Sequence, residues 1–314
     1  MELDRIRRIA VAGAGLMGHG IALGFATAGY PVGLYDLTDE ILYRSMSNIQ
    51  ADLNLMAGAG LLGHDQIEPA LSRIQPTTDL RAVAEYADVV IEAVAEKLEV
   101  KLDLFRKLDE LSSPQTIFAS NSSTLTPSKL APATHRPERL LVAHYWNPPY
   151  LLPLVELVGG PQTAPDVIET MRQLMEKIGK KPVVMKKEAL GFIGNRLQFA
   201  LYREALNIVE RGLASPEDVD LVVTHSLGRR LAVAGPFEVA ELGGLDVFCG
   251  ASTYLWPDLS DAKEPPAILR QRVERGDLGI KTGRGFYHWS RETAEALRQR
   301  VANMLIWFQV HSRQ

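Results

Sequence analysis

The stretch Ile9-Ala10-Val11-Ala12-Gly13-Ala14-Gly15-Leu16-Met17-Gly18-His19-Gly20 decides the fold. Ile6 to Ala12 is short and apolar, as a fully buried parallel strand should be. Gly13-x-Gly15-x-x-Gly18 follows at once, and a helix is predicted from it through Ala28, stopped by Gly29. Pro31 to Tyr35 reads as a second strand, ending at Asp36. In this setting the first glycine permits a tight turn, the second lets a pyrophosphate approach, and the third lets helix pack on strand. The helix N-terminus adds free N–H groups and a positive dipole end. Asp36, about 20 residues on, can accept hydrogen bonds from ribose hydroxyls and would repel a 2′-phosphate. No Arg or Lys lies among Leu37 to Tyr43 to welcome one. The expected cofactor is therefore NAD, held by Gly13, Ala14, Gly15, Leu16, Met17, Gly18 and Asp36. A purely structural glycine turn is the alternative.

The alternation continues outward. Asp88–Val94, Thr116–Ala119, Leu140–Ala143, Pro153–Val158 and Pro182–Met185 are strand-like, with a helix at Val100–Leu111. Strands alternating with helices imply an α/β, mostly parallel, doubly wound sheet covered on both faces. After Lys186-Lys187 the spacing becomes helical, with Ser215-Pro216-Glu217 as a helix start. The expected division is residues 1–187 as a Rossmann domain and 188–314 as an all-α domain.

Composition narrows the function. The 314 residues carry 34 Lys+Arg against 38 Asp+Glu, and 46% are hydrophobic. Such a chain folds, and its slight acidity without basic clusters argues against nucleic acid as a partner. Cys249 is the single cysteine, which excludes an intrachain disulfide or a multi-cysteine metal site and fits a reducing cytoplasm. Ile9 to Tyr35 lacks charge, but its seven glycines and Pro31 do not suit a signal peptide or membrane span. No metal and no membrane are expected.

His144 ends a strand-like run, where open parallel sheets bind their ligands. Glu156, twelve residues on, stands in the apolar run Leu154-Val155-Glu156-Leu157-Val158. A buried acid needs a partner, and a histidine can be oriented by it to act as a general base. A structural histidine is the bland alternative. The hydroxyls of Ser120-Asn121-Ser122-Ser123-Thr124 could bind a substrate oxygen or equally cap the next helix.

These stretches together resemble the 3-hydroxyacyl-CoA dehydrogenase family. Besides the glycine turn and Asp36, the resemblance rests on Glu92–Glu96, Ser120–Leu125, His144–Pro148, Leu154–Glu156, Gly191–Arg196, Gly235–Glu238 and Lys281–Tyr287. It implies His144 as acid–base residue with Glu156 as its partner, Ser123 on the substrate oxygen, and Asn195 helping to hold the substrate. It places Glu96, Lys101, Asn147 and Lys281 at the cofactor; a solvated charge is the alternative for the two lysines. It also implies dimerisation through the helical domain.

The sequence departs from that pattern between Arg44 and Arg73, where no Lys or Arg occurs although CoA-binding members usually carry lysines there. Asn147–Tyr150 and Pro153–Val158 resemble the branch of lambda-crystallin and L-gulonate 3-dehydrogenase, whereas Lys281–Tyr287 resembles the acyl-CoA enzymes. The reading leans to oxidation of a short-chain L-3-hydroxyacyl-CoA, with a free 3-hydroxy acid as the alternative. A crystallin-like structural protein or an NAD-sensing module would not require Ser123, His144, Glu156 and Asn195 together.

Overall fold

A computed structural model describes residues 3–311. Among these, β1 (Ile9–Ala12), β2 (Val32–Tyr35), β3 (Ile74–Thr77), β4 (Val89–Glu92), β5 (Ile117–Ser120), β6 (Leu140–Tyr145), β7 (Leu154–Gly159) and β8 (Lys181–Met185) form one sheet in the order β3-β2-β1-β4-β5-β6-β7-β8. All pairings are parallel except β6 with β7. The mostly parallel, doubly wound sheet is the one expected. β3 was not foreseen: Pro76 argues against a strand, but β3 lies at the sheet edge, where a missing N–H is tolerated.

Helices α1 (Gly18–Thr27), α2 (Asp39–Gly58), α3 (Ile67–Ser72), α4 (Leu80–Ala84), α5 (Leu98–Leu111), α6 (Pro127–Leu130) and α7 (Pro165–Lys177) connect the strands. Period-2 alternation in β1 sends Ile9 and Val11 into the core with Phe25 of α1 and Leu53 of α2. Ala10 and Ala12 face the opposite core, with Phe105 of α5, Phe118 and Phe192. Because both faces are covered, the strands read as continuous apolar runs rather than as alternating ones.

The rest is helical: α8 (Gly194–Glu210), α9 (Pro216–His225), α10 (Leu227–Leu231), α11 (Pro236–Gly243), α12 (Leu245–Leu255), α13 (Ala267–Glu274) and α14 (Arg291–His311). Ser215 caps α9 as expected, in a capping box with Asp218. The compact units are residues up to Gly194 with those from Arg300 onward, and Asn195–Gln299. This differs from a single boundary at 187 in two respects. Phe192 is buried in the core of the first unit, and Gln309 of α14 donates to the Leu151 carbonyl at 2.6 Å. Helical periodicity shows that a segment is a helix, not which core it serves.

The glycine turn is sterically specified. A Cβ on Gly18 would lie 1.7 Å from the Gly13 carbonyl oxygen. Gly18→Ala therefore has to push β1 and α1 apart, and should cost about 1–3 kcal/mol in chemical denaturation. An unchanged midpoint would show that the turn relaxes freely.

Candidate active site

Gly13 turns the chain at φ +105°, and a Cβ there would sit 2.6 Å from the Ala93 carbonyl. Only glycine can cross the end of β4 so closely. Gly15 is the opposite case, with nothing within 4 Å of its Cβ position, so the space above it is open to a ligand. The neighbouring N-terminus of α1 has no side-chain cap at Met17, which leaves first-turn N–H groups for another acceptor. Leu16 is exposed. Asp36, just past β2, accepts from the Ala14 N–H on Oδ2 and from the Leu37 N–H on Oδ1, each at 2.7 Å. Each oxygen keeps capacity for a second donor. Arg44, the first cation after Asp36, is paired with Glu40 at 2.8 Å. Asp36→Ala should weaken NADH binding about tenfold or more and narrow the preference over NADPH, since a charge-assisted hydrogen bond is lost. An unchanged NADH/NADPH affinity ratio in a fluorescence titration would remove Asp36 from that role.

At the adjoining strand ends lies a buried ionic cluster. Glu92, the last residue of β4, is fully buried; its Oε1 accepts from Lys101 Nζ at 2.7 Å and from the Val94 N–H at 2.8 Å, and its Oε2 from Ser120 Oγ at 2.5 Å. Burial dominates and raises its pKa against the pull of Lys101. Lys101 is only 1% exposed and also reaches Glu96 Oε2 at 3.1 Å. It is thus not a solvated charge: its ammonium is held between the Glu92 and Glu96 carboxylates. Glu96 Oε1 in turn accepts from Ser122 Oγ, the N–H groups of Ser123 (3.1 Å) and Thr124 (3.0 Å), and Thr124 Oγ1 (2.8 Å). Burial pushes the Glu96 carboxyl up, but the Ser122 and Thr124 bonds and the Lys101 charge outweigh it and hold it at about 2.

The serines do not cap α6, whose N-cap residue is Thr126. Ser120 serves Glu92, Ser122 accepts from the Leu125 N–H at 2.8 Å, and Ser123 is half-buried. Asn121 Oδ1 accepts from the Tyr145 N–H at 2.9 Å and so ties the end of β5 to the strand that carries His144.

His144 and Glu156 face each other in register across the antiparallel β6–β7 pair. His144 Nδ1 donates to Glu156 Oε2 at 2.8 Å, and the two side chains are 8% and 1% exposed. That bond fixes the tautomer and leaves Nε2 as the basic nitrogen. Glu156 Oε1 accepts from the N–H groups of Ile193 and Gly194, both at 2.9 Å. Burial would raise the Glu156 pKa, but the His144 bond and these two amides lower it, so the carboxylate stays ionised. Phe192 makes this possible: it sits at φ +50°, its ring centroid 5.4 Å from that of His144. Such a conformation costs on the order of 1–3 kcal/mol in a non-glycine residue. Trp146 also packs near His144, its ring centroid 5.7 Å from that of the imidazole, and a Cβ on Gly194 would strike it at 2.2 Å.

Asn147 is exposed just beyond Trp146. Asn195 is half-buried in the first turn of α8, and Lys281 is exposed between the bridged residues Gly279 and Arg284; both belong to the second unit. Among the described residues no group of three His, Cys, Asp or Glu side chains converges as a metal site, and no helix is long and apolar enough to cross a membrane. Sequence reasoning missed Phe192, the Ile193 and Gly194 amides, and Glu92. The signal for Glu92 was present: it closes an apolar strand as Glu156 interrupts one.

A turn that leaves its middle glycine open, on the first of six neighbouring parallel strands, accommodates NAD, and the chain is an NAD-dependent oxidoreductase. Residues 8–189 match the NAD binding domain of 3-hydroxyacyl-CoA dehydrogenase, and residues 191–289 match the C-terminal domain of the same enzyme. The chain belongs to the 3-hydroxyacyl-CoA dehydrogenase family. It is 34% identical to the 5-formyl-3-hydroxy-2-methylpyridine 4-carboxylate 5-dehydrogenase of Mesorhizobium japonicum over 96% of each chain. A solved structure of such a 5-dehydrogenase, an NAD-dependent dismutase, superposes with TM-score 0.90 over 97% of each chain at 34% identity. The chain is 36% identical to the probable 3-hydroxybutyryl-CoA dehydrogenase of Bacillus subtilis, covering 92% of this chain and 99% of that one. It is 38% identical to the human lambda-crystallin homolog, covering 77% and 76% respectively.

Proposed function

We propose that the chain oxidises a hydroxyl group on a small carboxylic acid that carries no CoA. NAD, when bound, supplies the hydride acceptor. His144 Nε2 takes the hydroxyl proton, and Glu156 stabilises the resulting imidazolium across the 2.8 Å bond. Ser123 donates to the substrate oxygen, and Asn195 helps to hold the substrate. Gly13–Gly18 hold the diphosphate and Asp36 the adenosine ribose, while Glu96, Asn147 and Lys281 complete the cofactor site.

The observation that carries the substrate class lies on α2. Between Arg44 and Arg73 there is no cation for the phosphates of CoA. Instead Asn54, Leu55, Gly58 and Ala59 share a groove with Ile306, Trp307 and Val310 of α14. A phosphorylated adenosine there would forgo charge-assisted bonds worth roughly 1.5–3 kcal/mol each. The similarity to a pyridine carboxylate dehydrogenase along the whole chain supports the same reading. A hydrated aldehyde presents the same H–C–O–H unit to the same base.

The second reading is a short-chain L-3-hydroxyacyl-CoA. Lys281–Tyr287 and the full-length similarity to a 3-hydroxybutyryl-CoA dehydrogenase favour it. Initial rates of NADH formation with L-3-hydroxybutyrate, L-gulonate, 5-formyl-3-hydroxy-2-methylpyridine 4-carboxylate and L-3-hydroxybutyryl-CoA separate the two. A free acid with the highest kcat/KM supports the first, and preference for the thioester replaces it with the second. We also read the second unit as a homodimer surface, because Phe237, Leu242, Tyr254 and Trp256 are each more than 70% exposed. Light scattering should give twice the chain mass. The single Cys249, exposed and free, suits a reducing cytoplasm.

A further inference from the structure

His19, in the first turn of α1, is 6% exposed and takes no part in the chemistry above. Its Nδ1 lies 2.9 Å from the Gly15 carbonyl oxygen, and its Nε2 lies 3.1 Å from Asp52 Oδ2 on α2. A carbonyl and a carboxylate only accept, whereas a neutral imidazole has a single N–H. Both contacts are satisfied together by the imidazolium alone. Burial opposes that charge, but the Asp52 carboxylate and the Gly15 carbonyl outweigh it and raise the pKa.

The Gly15 carbonyl matters because it shares a planar trans peptide with the Leu16 N–H, which must therefore point the opposite way. Fixing the oxygen toward His19 aims that N–H outward from the open glycine turn. Burial, and then the nearby Asp52 carboxylate, raise the pKa of the Tyr150 phenol. Gly20, one residue beyond His19, lies beneath the same loop: a Cβ there would be 3.0 Å from Pro149 Cγ and 3.3 Å from Tyr150 Cδ1. Pro149 and Tyr150 belong to the connection between β6 and β7, the strands that carry His144 and Glu156. Lys180 Nζ donates to the Pro149 and Leu152 carbonyls of that connection.

We propose that His19 is a positioning residue, an imidazolium that sets the orientation of the diphosphate-binding turn and, through Asp52 and Tyr150, fastens that turn to the loop joining the His144 and Glu156 strands. The proposal deepens the assignment of Gly13–Gly18 to the NAD diphosphate and rests on it.

The test is NADH binding by nucleotide fluorescence with the purified full chain, which needs no substrate and is independent of the substrate class. His19→Ala should raise the NADH Kd about tenfold, with KM for NAD rising in step and kcat falling by a smaller factor. Asp52→Asn should act in the same direction, and the double variant should be no worse than His19→Ala, because both remove one strut. A His19→Ala protein with a native melting temperature and an NADH Kd within twofold of wild type overturns the proposal. Strictly multiplicative effects in the double variant do so too. If His19→Ala does not fold, Asp52→Asn and Tyr150→Phe are read by the same criterion. Wild-type protein that binds no NADH would instead overturn the assignment of the turn itself.

Discussion

His144→Asn should lower kcat by about 10²–10⁴-fold on the best substrate, while NADH binding stays within about twofold of wild type. The expectation follows from how the dyad is built. Nδ1 is committed to Glu156 at 2.8 Å, so Nε2 is the ring nitrogen left for a substrate proton. Asparagine can keep a bond to Glu156 but has no basic nitrogen, so packing survives and proton abstraction does not. The factor corresponds to about 3–5 kcal/mol of transition-state stabilisation. NADH binding is the control, since the glycine turn and Asp36 lie on β1, α1 and the end of β2 rather than on β6. Near-normal turnover in this variant would mean that another group takes the proton, and the pairing with Glu156 would then be structural.

Lys101→Met should strongly destabilise the first unit. It leaves the Glu92 carboxylate fully buried, with only Ser120 Oγ and the Val94 N–H as donors. Removing one partner of a buried pair typically costs about 3–5 kcal/mol. Glu92 has an escape, which is to take up a proton. From its ordinary value of 4.5 that costs about 1.4 kcal/mol per pH unit, or roughly 3 kcal/mol at pH 7. The sign is then fixed: the folded variant holds this proton more tightly than the unfolded chain, so the loss grows as pH rises above 4.5 and shrinks toward it. Urea unfolding at pH 5 and pH 8 should show the difference, and Glu92→Gln in the same chain should recover most of the stability. A loss equal at both pH values, or one not rescued by the glutamine, would contradict the ion-pair account.

Much of this site was legible in residues. The glycine turn and Asp36 were readable because their chemistry is backbone chemistry, and Gly13, Gly15 and Gly18 each have the distinct steric reason the motif implies. Glu156 was readable because a lone acid in an apolar run demands a partner. The antiparallel turn of β7 then supplied what spacing alone does not, a register that sets it opposite His144. The burial of Lys101 was legible as well. The residue falls at the i position of the set Leu104, Phe105 and Leu108, which is the buried face of α5. Phe192 at φ +50° and the two amides on Glu156 were beyond reach, since they depend on how a non-repetitive segment enters α8.

The first unit is discontinuous: residues up to Gly194 are completed by those from Arg300 onward, with Gln309 clasping Leu151. On the ribosome His144 and Glu156 emerge only twelve residues apart, so the dyad hairpin can close early. The clasp on the loop between them must wait until more than a hundred further residues have been made. Between those moments the cofactor-binding half is a nascent chain lacking its last segment, with the Leu151 carbonyl unclaimed by Gln309. A stop codon just before Arg300 would hold the protein in that state. Its first casualty should be the loop behind the active base rather than the helical unit whose coding sequence lies nearer the break.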